Sequence, residues 1–484
     1  MAGFHVRLSG GGLSADKPLP VPDAARRAAG AGTRLATLPP GHRREGSPPM
    51  FGYYMQLGLR SLKRNPVLTF LMVIVIAVGV AASMTCYAVF RATSGDPIPG
   101  KSSQLFIAQL DNYGPDNGVS DDPMPWLTWR DATALVNARM APRQTPLYPI
   151  GVAVLPDDPT RMAEPVRGYA VQTDMFPMFD VPFLFGGPWT RADDDAQARV
   201  VVIGKSLNDR VFGGANSVGR EIDLDGTRFR IAGVTATWEA RPRFFDLDAN
   251  NGFGDLGDIY MPFGRAITDH RRPAGGFVCN RPSKPGWDNF IRSECIFASV
   301  WVELPDAASA SAYRQFLNDY SAEQTRMGRF TWAPNVRLRD VMEWLTVRRV
   351  VPPEARMGVV VSAAFLLICL VNVIGLLLAK FMKRAQEIGI RRALGASRRA
   401  IYTQFLLEAA SIGLAGGLLG VVFTGLGTLC IGLAFDPGVA KLVHMNLPLL
   451  GMTLVVALAS TVIAAFYPTW RASRVQPAWQ LKAS

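Results

Sequence analysis

The chain has 484 residues, 49% of them hydrophobic, and carries a formal net charge of +12. The length allows two or three ordinary domains, and a basic balance suits either a nucleic-acid binder or a membrane protein. The arginines crowd the ends of apolar runs, and the chain has no helix-turn-helix spacing, zinc-finger pattern or RNA-binding aromatic signature, which excludes nucleic acid as a partner and favours the lipid bilayer.

Residues 1–49 are rich in Gly, Pro, Ala and Arg without apolar periodicity, and read as a disordered tail or an artefact of start-site choice. Met50 looks like a natural start. In the stretch that follows, Gln56, Arg60, Lys63 and Arg64 share a helical face largely opposite Tyr54, Leu57 and Leu62. This pattern predicts an interfacial amphipathic helix over 50–66. The first apolar run, 67–90, follows Asn65-Pro66, a good capping pair. As a helix it reaches about 36 Å, enough to cross a hydrocarbon core of about 30 Å. It is too long for a signal peptide and lacks the small-residue cleavage site.

Residues 91–356 are expected to form an α+β domain. RVVVIGKSLNDRVFGG (199–214) reads as a buried strand and an amphipathic helix, with Val202, Leu207, Val211 and Phe212 as its apolar positions. NSVGREIDLDGTRFRIAGVT (216–235) alternates around Asp225-Gly226, a hairpin signal. A strand at 296–304 precedes a helix over 309–324 with Ala312, Phe316 and Tyr320 at helical spacing.

Catalytic chemistry finds no support in this region. The histidines, His5, His42, His270 and His444, are far apart, and GxSxG, HExxH and Cys–His pairings are absent. Asp193–Asp195 reads as a solvated turn. DLDANNGFGDLGD (246–258) begins like a calcium loop, with Asp246, Asp248 and Asn250 alternating. Its glycine, Gly252, falls one place late and no glutamate holds the twelfth position, so it reads as a polar loop and no metal site is expected. Cys86, Cys369 and Cys430 lie inside apolar runs and read as inert. Cys279 and Cys295 lie in the polar region, and a disulfide between them is open if that region is extracytoplasmic.

Three more runs, 357–381, 405–434 and 447–467, give four spanning helices in a one-plus-three arrangement around the large domain. A short loop over 435–446 and a tail over 468–484 complete the layout. Gly416 and Gly420 make a small-xxx-small face for helix packing, the alternative being that they permit bending. Polar residues within the spans are few, chiefly Asn372, Thr424 and Glu408 near one end, and Asn372 is expected to hydrogen-bond a neighbouring helix. Arg60, Lys63 and Arg64 precede the first span. Lys380, Lys383, Arg384, Arg391, Arg392, Arg398 and Arg399 fill the loop after the second, and Arg471, Arg474 and Lys482 follow the fourth. The loop after the third has only Lys441. The positive-inside rule then places both termini and the 382–404 loop in the cytoplasm, and 91–356 outside.

That loop, KRAQEIGIRRALGASRRAI, has its own local grammar. Helix is expected from Lys383 to Leu394, ended by Gly395 in the left-handed region, with Ser397 capping the helix that follows. Ile390 and Leu394 lie one turn apart, and Glu387 precedes Arg391 by four residues. Such a helix suits either lipid headgroups or the groove of a soluble partner.

The run KRAQEIGIRRALGASRRAIYTQFLLEA resembles the cytoplasmic loop of MacB/FtsX-type ABC-transporter permeases, matching at Glu387, Ile388, Gly389, Ile390, Arg391, Ala393, Leu394, Gly395 and Ala396. The tail resembles that family's ending through Pro468, Arg471, Ala472, Pro477 and Leu481, and the stretches 171–195 and 198–234 look like a MacB-like periplasmic core. The resemblance implies a permease subunit in the bacterial inner membrane, paired with a second copy or a paralogue. A separate ABC ATPase, holding ATP and magnesium, would dock on Glu387, Ile388, Gly389, Ile390, Arg391, Arg392, Leu394, Gly395 and Ala396. The implied mechanism is mechanotransmission: ATP-driven motion passes along the spans to the outer domain, which usually meets a periplasmic adaptor. GxxxxGK[ST] is absent from the sequence, which is why the ATPase is expected in another chain, and this chain is not expected to be an enzyme. The alternative within the family is an FtsX-like scaffold that controls a periplasmic cell-wall hydrolase.

Overall fold

In the computed structural model the described residues are 65–474, less 115–121, 157–161, 239, 248–251, 255–256, 352, 435–442, 444–445 and the side chains of 432–434. The expectations for 1–49, for most of the 50–66 helix and for the end of the tail lie outside the described residues.

Among the described residues, four helices are long and apolar enough to cross a membrane. They are Pro66–Ser94, Pro353–Met382, Arg398–Ala434 and Leu447–Ser473, the first to fourth spans. Each continues beyond its apolar run, because backbone hydrogen bonding and capping set a helix end whereas hydropathy sets only its buried part. Pro66 takes the first helical position, but the Asn65 side chain makes no cap hydrogen bond. Asn446 does cap the fourth span, accepting from Leu449 N–H at 3.0 Å.

Glycine fixes how the spans meet. A Cβ on Gly416 would lie 2.8 Å from Ile76 Cγ2, and one on Gly427 would lie 2.6 Å from Thr85 Oγ1, so the third span presses backbone against the first. Gly420 lies on the same stripe with ordinary spacing, 3.5 Å from Ala77 O. On a second stripe, Gly413 and Gly417 approach Thr461 and Ala457 of the fourth span. Without a hydrophobic force between helices in lipid, this close approach supplies the dispersion contact that holds them. The second span meets the first through Gly79 and Cys369, and through Ser83 Oγ, which donates to Ser362 O at 3.0 Å.

Between the first and second spans lies an α+β domain with twelve strands among the described residues. These are β1 (Leu105–Leu110), β2 (Leu127–Thr128), β3 (Arg143–Leu155) and β4 (Glu164–Val171). Next come β5 (Phe183–Gly186), β6 (Val200–Gly204), β7 (Glu221–Leu224) and β8 (Thr227–Thr235). The last are β9 (Ile259–Pro262), β10 (Val278–Cys279), β11 (Cys295–Glu303) and β12 (Val336–Asp340). Their order is β12-β1-β11-β3-β4-β9-β6-β8-β5, with β2 and β10 on β11 and β7 on β3 and β8. Asp225 and Gly226 both take positive φ, 54° and 83°, between β7 and β8, the backbone a two-residue hairpin needs.

The two sheet faces bury different partners. Val201, Ile203, Val300 and Val302 face a core closed by Leu207, Tyr313 and Leu317. Ile107, Val202 and Trp301 face an aromatic layer of Phe179, Phe244, Phe245 and Trp344, and that cluster runs on into Ala88, Val89 and the membrane helices.

Two local expectations are corrected. The helix Ala307–Arg326 buries Ala310, Tyr313 and Leu317, while Ala312 is exposed and Phe316 and Tyr320 are half-buried, so the buried stripe is rotated by about one residue. Asp193–Asp195 is not a solvated turn. It closes a short helix, Arg191–Asp195, with a Thr190–Asp193 capping box, and Asp194 turns inward to accept from Thr173 N–H at 2.8 Å and Trp189 Nε1–H at 2.7 Å. Asp246 is also buried, accepting from Tyr169 Oη–H at 2.6 Å, while Asp248 and Asn250 lie outside the described residues.

Candidate functional site

The loop between the second and third spans folds as a helix, Ala385–Ala393. Gly395 follows at φ 96°, and its N–H donates to Arg392 O at 3.1 Å. The left-handed region is open to glycine at little cost, and it turns the chain back toward the bundle. Ser397 Oγ then accepts from Ala400 N–H at 3.2 Å and starts the third span.

The helix has two unlike faces. Inward, Ile388 is buried in the same cluster as Phe381, Ile401 and Phe405, and Ala385 and Gly389 are buried with it. The Phe381 and Phe405 rings stand 4.3 Å apart where the second and third spans converge. Outward, Ile390 is 59% exposed and Leu394 82% exposed, a bare apolar pair one turn apart. Arg391 reaches Glu387 at 2.6 Å and Gln404 Oε1 at 3.1 Å, which ties the helix rim to the third span. Among the nine residues expected to meet an ATPase, Ile388 and Gly389 therefore anchor the helix from inside. Ile390, Leu394 and Gly395 are exposed, while Glu387, Arg391, Arg392 and Ala396 are half-buried at the rim.

Beneath the helix lies a charge cluster that no local sequence pattern announces. Lys380 Nζ is 2.8 Å from Glu408 Oε1, and Arg384 Nη1 is 3.0 Å from Glu408 Oε2. Lys380 Nζ also donates to Thr69 Oγ1 at 3.3 Å. Lys380 and Glu408 are 0% and 2% exposed. One carboxylate thus joins the second span, the residue that opens the loop helix and the third span, and Lys380 extends the link to the first. Lys380 and Arg384, expected only as charges set by topology, are structural ties instead, and the spans are less poor in buried charge than their composition implies. The available signal is that Lys380 and Glu408 sit a few residues inside the facing ends of consecutive apolar runs, where opposite charges at one depth favour pairing.

Asn372 lies on a face that the chain's own helices leave open. It is exposed on the second span and makes no hydrogen bond among the described residues. The reason is helical phase: Asn372 shares a face with Phe365 and Ile368, both exposed, whereas Cys369, Val373 and Leu377 supply the buried face. In the inserted domain, Cys279 and Cys295 are directly opposed across β10 and β11 and are joined by a disulfide.

A membrane protein with one span, a large inserted domain and three further spans is the class these features define. The family description "MacB-like periplasmic core domain" matches residues 69–320, and "FtsX-like permease C-terminal" matches 359–477. The chain belongs to the MacB/FtsX-type ABC-transporter permeases. It is 24% identical over 299 residues to the macrolide export ATP-binding/permease protein MacB of Rhodopirellula baltica, covering 60% of this chain and 42% of that protein. It is 23% identical over 325 residues to the uncharacterized ABC transporter permease YvrN of Bacillus subtilis, covering 64% of this chain and 68% of YvrN. The chain thus covers 42% and 40% of the length of two ATP-binding/permease relatives it matches, and 64% of a third, MacB of Syntrophobacter fumaroxidans. The periplasmic region of MacB from Actinobacillus actinomycetemcomitans aligns at 14% identity with a TM-score of 0.34, covering 52% of this chain and 95% of that one.

Proposed function

We propose that this chain is the permease subunit of an ABC-type exporter, and that it passes the ATP-driven motion of a separate ATPase subunit to its inserted domain. The observation that carries this reading is the Lys380–Glu408–Arg384 cluster. A docked partner that moves the loop helix must move Arg384, and through Glu408 and Lys380 it pulls on three spans together. ATP and magnesium belong to the partner chain, and this chain contributes no catalytic group.

Ile390 and Leu394 are the natural contact, since both are apolar, exposed and set between charged rims. The distribution of basic residues supports a loop helix and chain ends in the cytoplasm and an inserted domain in the periplasm of an inner membrane. There the inserted domain meets an adaptor. The second span is the least covered of the four, with 17% of its most apolar stretch buried against 44% for the first. A second permease copy or a paralogue packs on that face, where Asn372 finds its hydrogen bond.

The test is purification of the full-length chain from its native membrane, with magnesium-dependent ATPase activity measured in the eluate. Ile390→Asp with Leu394→Asp should remove at least nine tenths of the co-purified activity while leaving the chain folded in the membrane. Unchanged activity in that double variant would overturn the docking role.

A further inference from the structure

The segment between the helix Phe263–Thr268 and β11 is a basic, aromatic excursion closed by the Cys279–Cys295 disulfide. Arg272, Arg281, Lys284 and Arg292 are all exposed, and none has a hydrogen bond or ion pair among the described residues. Arg143, Arg191, Arg210, Arg265, Arg329 and Arg339 of the domain each hold a carboxylate, and so does Arg271 within this segment. The acids of this segment are Asp269, which is held by Arg265, Asp288, which is exposed, and Glu294, which is occupied by Arg329 at 2.7 Å.

Two of these cations, Arg272 and Lys284, line a cavity of about 210 Å³ together with Pro273, Phe277, Trp287 and Phe290. Its floor is fixed. Trp287 Nε1–H donates to Ile267 O at 2.9 Å, and the indole stacks on His270 with centroids 5.5 Å apart. Phe290 packs between Phe277 at 4.8 Å and Phe297 at 5.4 Å. Phe277 forms the open wall, 51% exposed, and follows Gly276 at φ 91°. The disulfide and the tethered indole hold the walls in place before any ligand arrives, which lowers the ordering cost of binding.

We propose that this cavity is a binding site for a small aromatic carboxylate. Three aromatic walls offer edge and face contacts to a planar ring, and Arg272 and Lys284 stand at the mouth for the carboxylate. Sites for drug-sized ligands are about 300–1,000 Å³. The smaller volume here fits one or two fused rings with a short acidic arm. The proposal stands apart from the ATPase reading, since it uses none of the loop-helix residues.

The test uses the full chain in lipid nanodiscs, titrated calorimetrically with 2-naphthoate and with its neutral isostere 2-naphthamide. Naphthoate is expected to bind saturably and at least tenfold more tightly than the amide. Arg272→Gln with Lys284→Gln should erase that difference, and Phe277→Ala should weaken both ligands about tenfold. The substituted positions are exposed, so thermal unfolding should be unchanged. Partition into lipid would favour the neutral amide and ignore the substitutions. That result, or no saturable naphthoate binding at millimolar concentration, overturns the site.

Discussion

Lys380 and Glu408 form an ion pair at 2.8 Å with both side chains essentially removed from solvent. Burying two charges costs several kcal/mol per ion, so a pair of this kind is retained only where partners satisfy it fully, as Arg384 and Thr69 help to do here.

Removing one partner is therefore worse than removing both. Glu408→Gln leaves Lys380 buried without its countercharge and should destabilise the helix bundle by about 3–5 kcal/mol. Lys380→Met with Glu408→Leu should recover most of that loss, read as the thermal midpoint in detergent. The same double variant should still bind the ATPase yet transmit less of its motion, read as transport per ATP hydrolysed. Full coupling in the apolar double variant would remove the cluster from the mechanism.

The third span separates two kinds of glycine. A methyl on Gly416 meets Ile76 at 2.8 Å, whereas a methyl on Gly420 meets nothing closer than 3.5 Å. Gly416→Ala should cost about 1–3 kcal/mol through overpacking, and Gly420→Ala less than about 0.5. Parallel unfolding of the two variants in detergent gives the comparison directly, and equal losses would contradict close packing at Gly416.

Two aspartates of the inserted domain respond to acid in opposite directions. Burial pushes the Asp194 carboxyl up to about 6, against the pull of hydrogen bonds from Thr173 and Trp189. Its folded state therefore holds a proton that the unfolded chain has already released. The resulting stability is complete below the ordinary aspartate value of 3.8 and is lost as pH rises through about 6. Burial also raises Asp131, but the hydrogen bonds and charge of Arg329, with bonds from Asn112 and Thr128, bring it below its ordinary value. That contribution is present above the ordinary value and is lost in stronger acid. Asp194→Asn should flatten the unfolding midpoint between about pH 4 and 6. An unaltered slope in that window would show that another group carries it.

The disulfide closes a loop with a sequence separation of 16 residues. Chain-entropy reasoning gives about 3 kcal/mol for a loop of that size. Cys279→Ser with Cys295→Ser should lower the domain's stability by up to that amount. Iodoacetamide labelling of the native protein, before and after reduction, should reveal the two thiols only after reduction.

How far the sequence reached depends on the range of the interaction. The four spans and the loop helix were legible because long apolar runs, the Gly395 stop, the Ser397 cap and the Glu387–Arg391 pair are all local signals. β3 was not legible, since Pro146 and Pro149 fall within it and proline ordinarily argues against an interior strand. The strand survives because its neighbours β4 and β11 pair with it around those positions. The phase of the helix Ala307–Arg326 was misread because Phe316 and Tyr320 are larger signals than Ala310, while the sheet beneath selects Tyr313 and Leu317. The Lys380–Glu408 pair spans two helices and a turn, and Asn372 faces away from the chain's own helices. Such tertiary facts have no periodicity to betray them.

Trp344 has a consequence for motion. Its indole N–H donates to Phe244 O at 3.0 Å, and it lies in the short helix Val341–Val347, just before the second span begins at Pro353. The same apolar cluster holds Trp301 of the central strand β11 and Val89 of the first span. Among the described residues, the sheet and both membrane helices that enter it therefore share one packed cluster. In the proposed transmission, a tilt of those two helices would reach the strands with little damping, as a stiff shaft turns the head fixed to it.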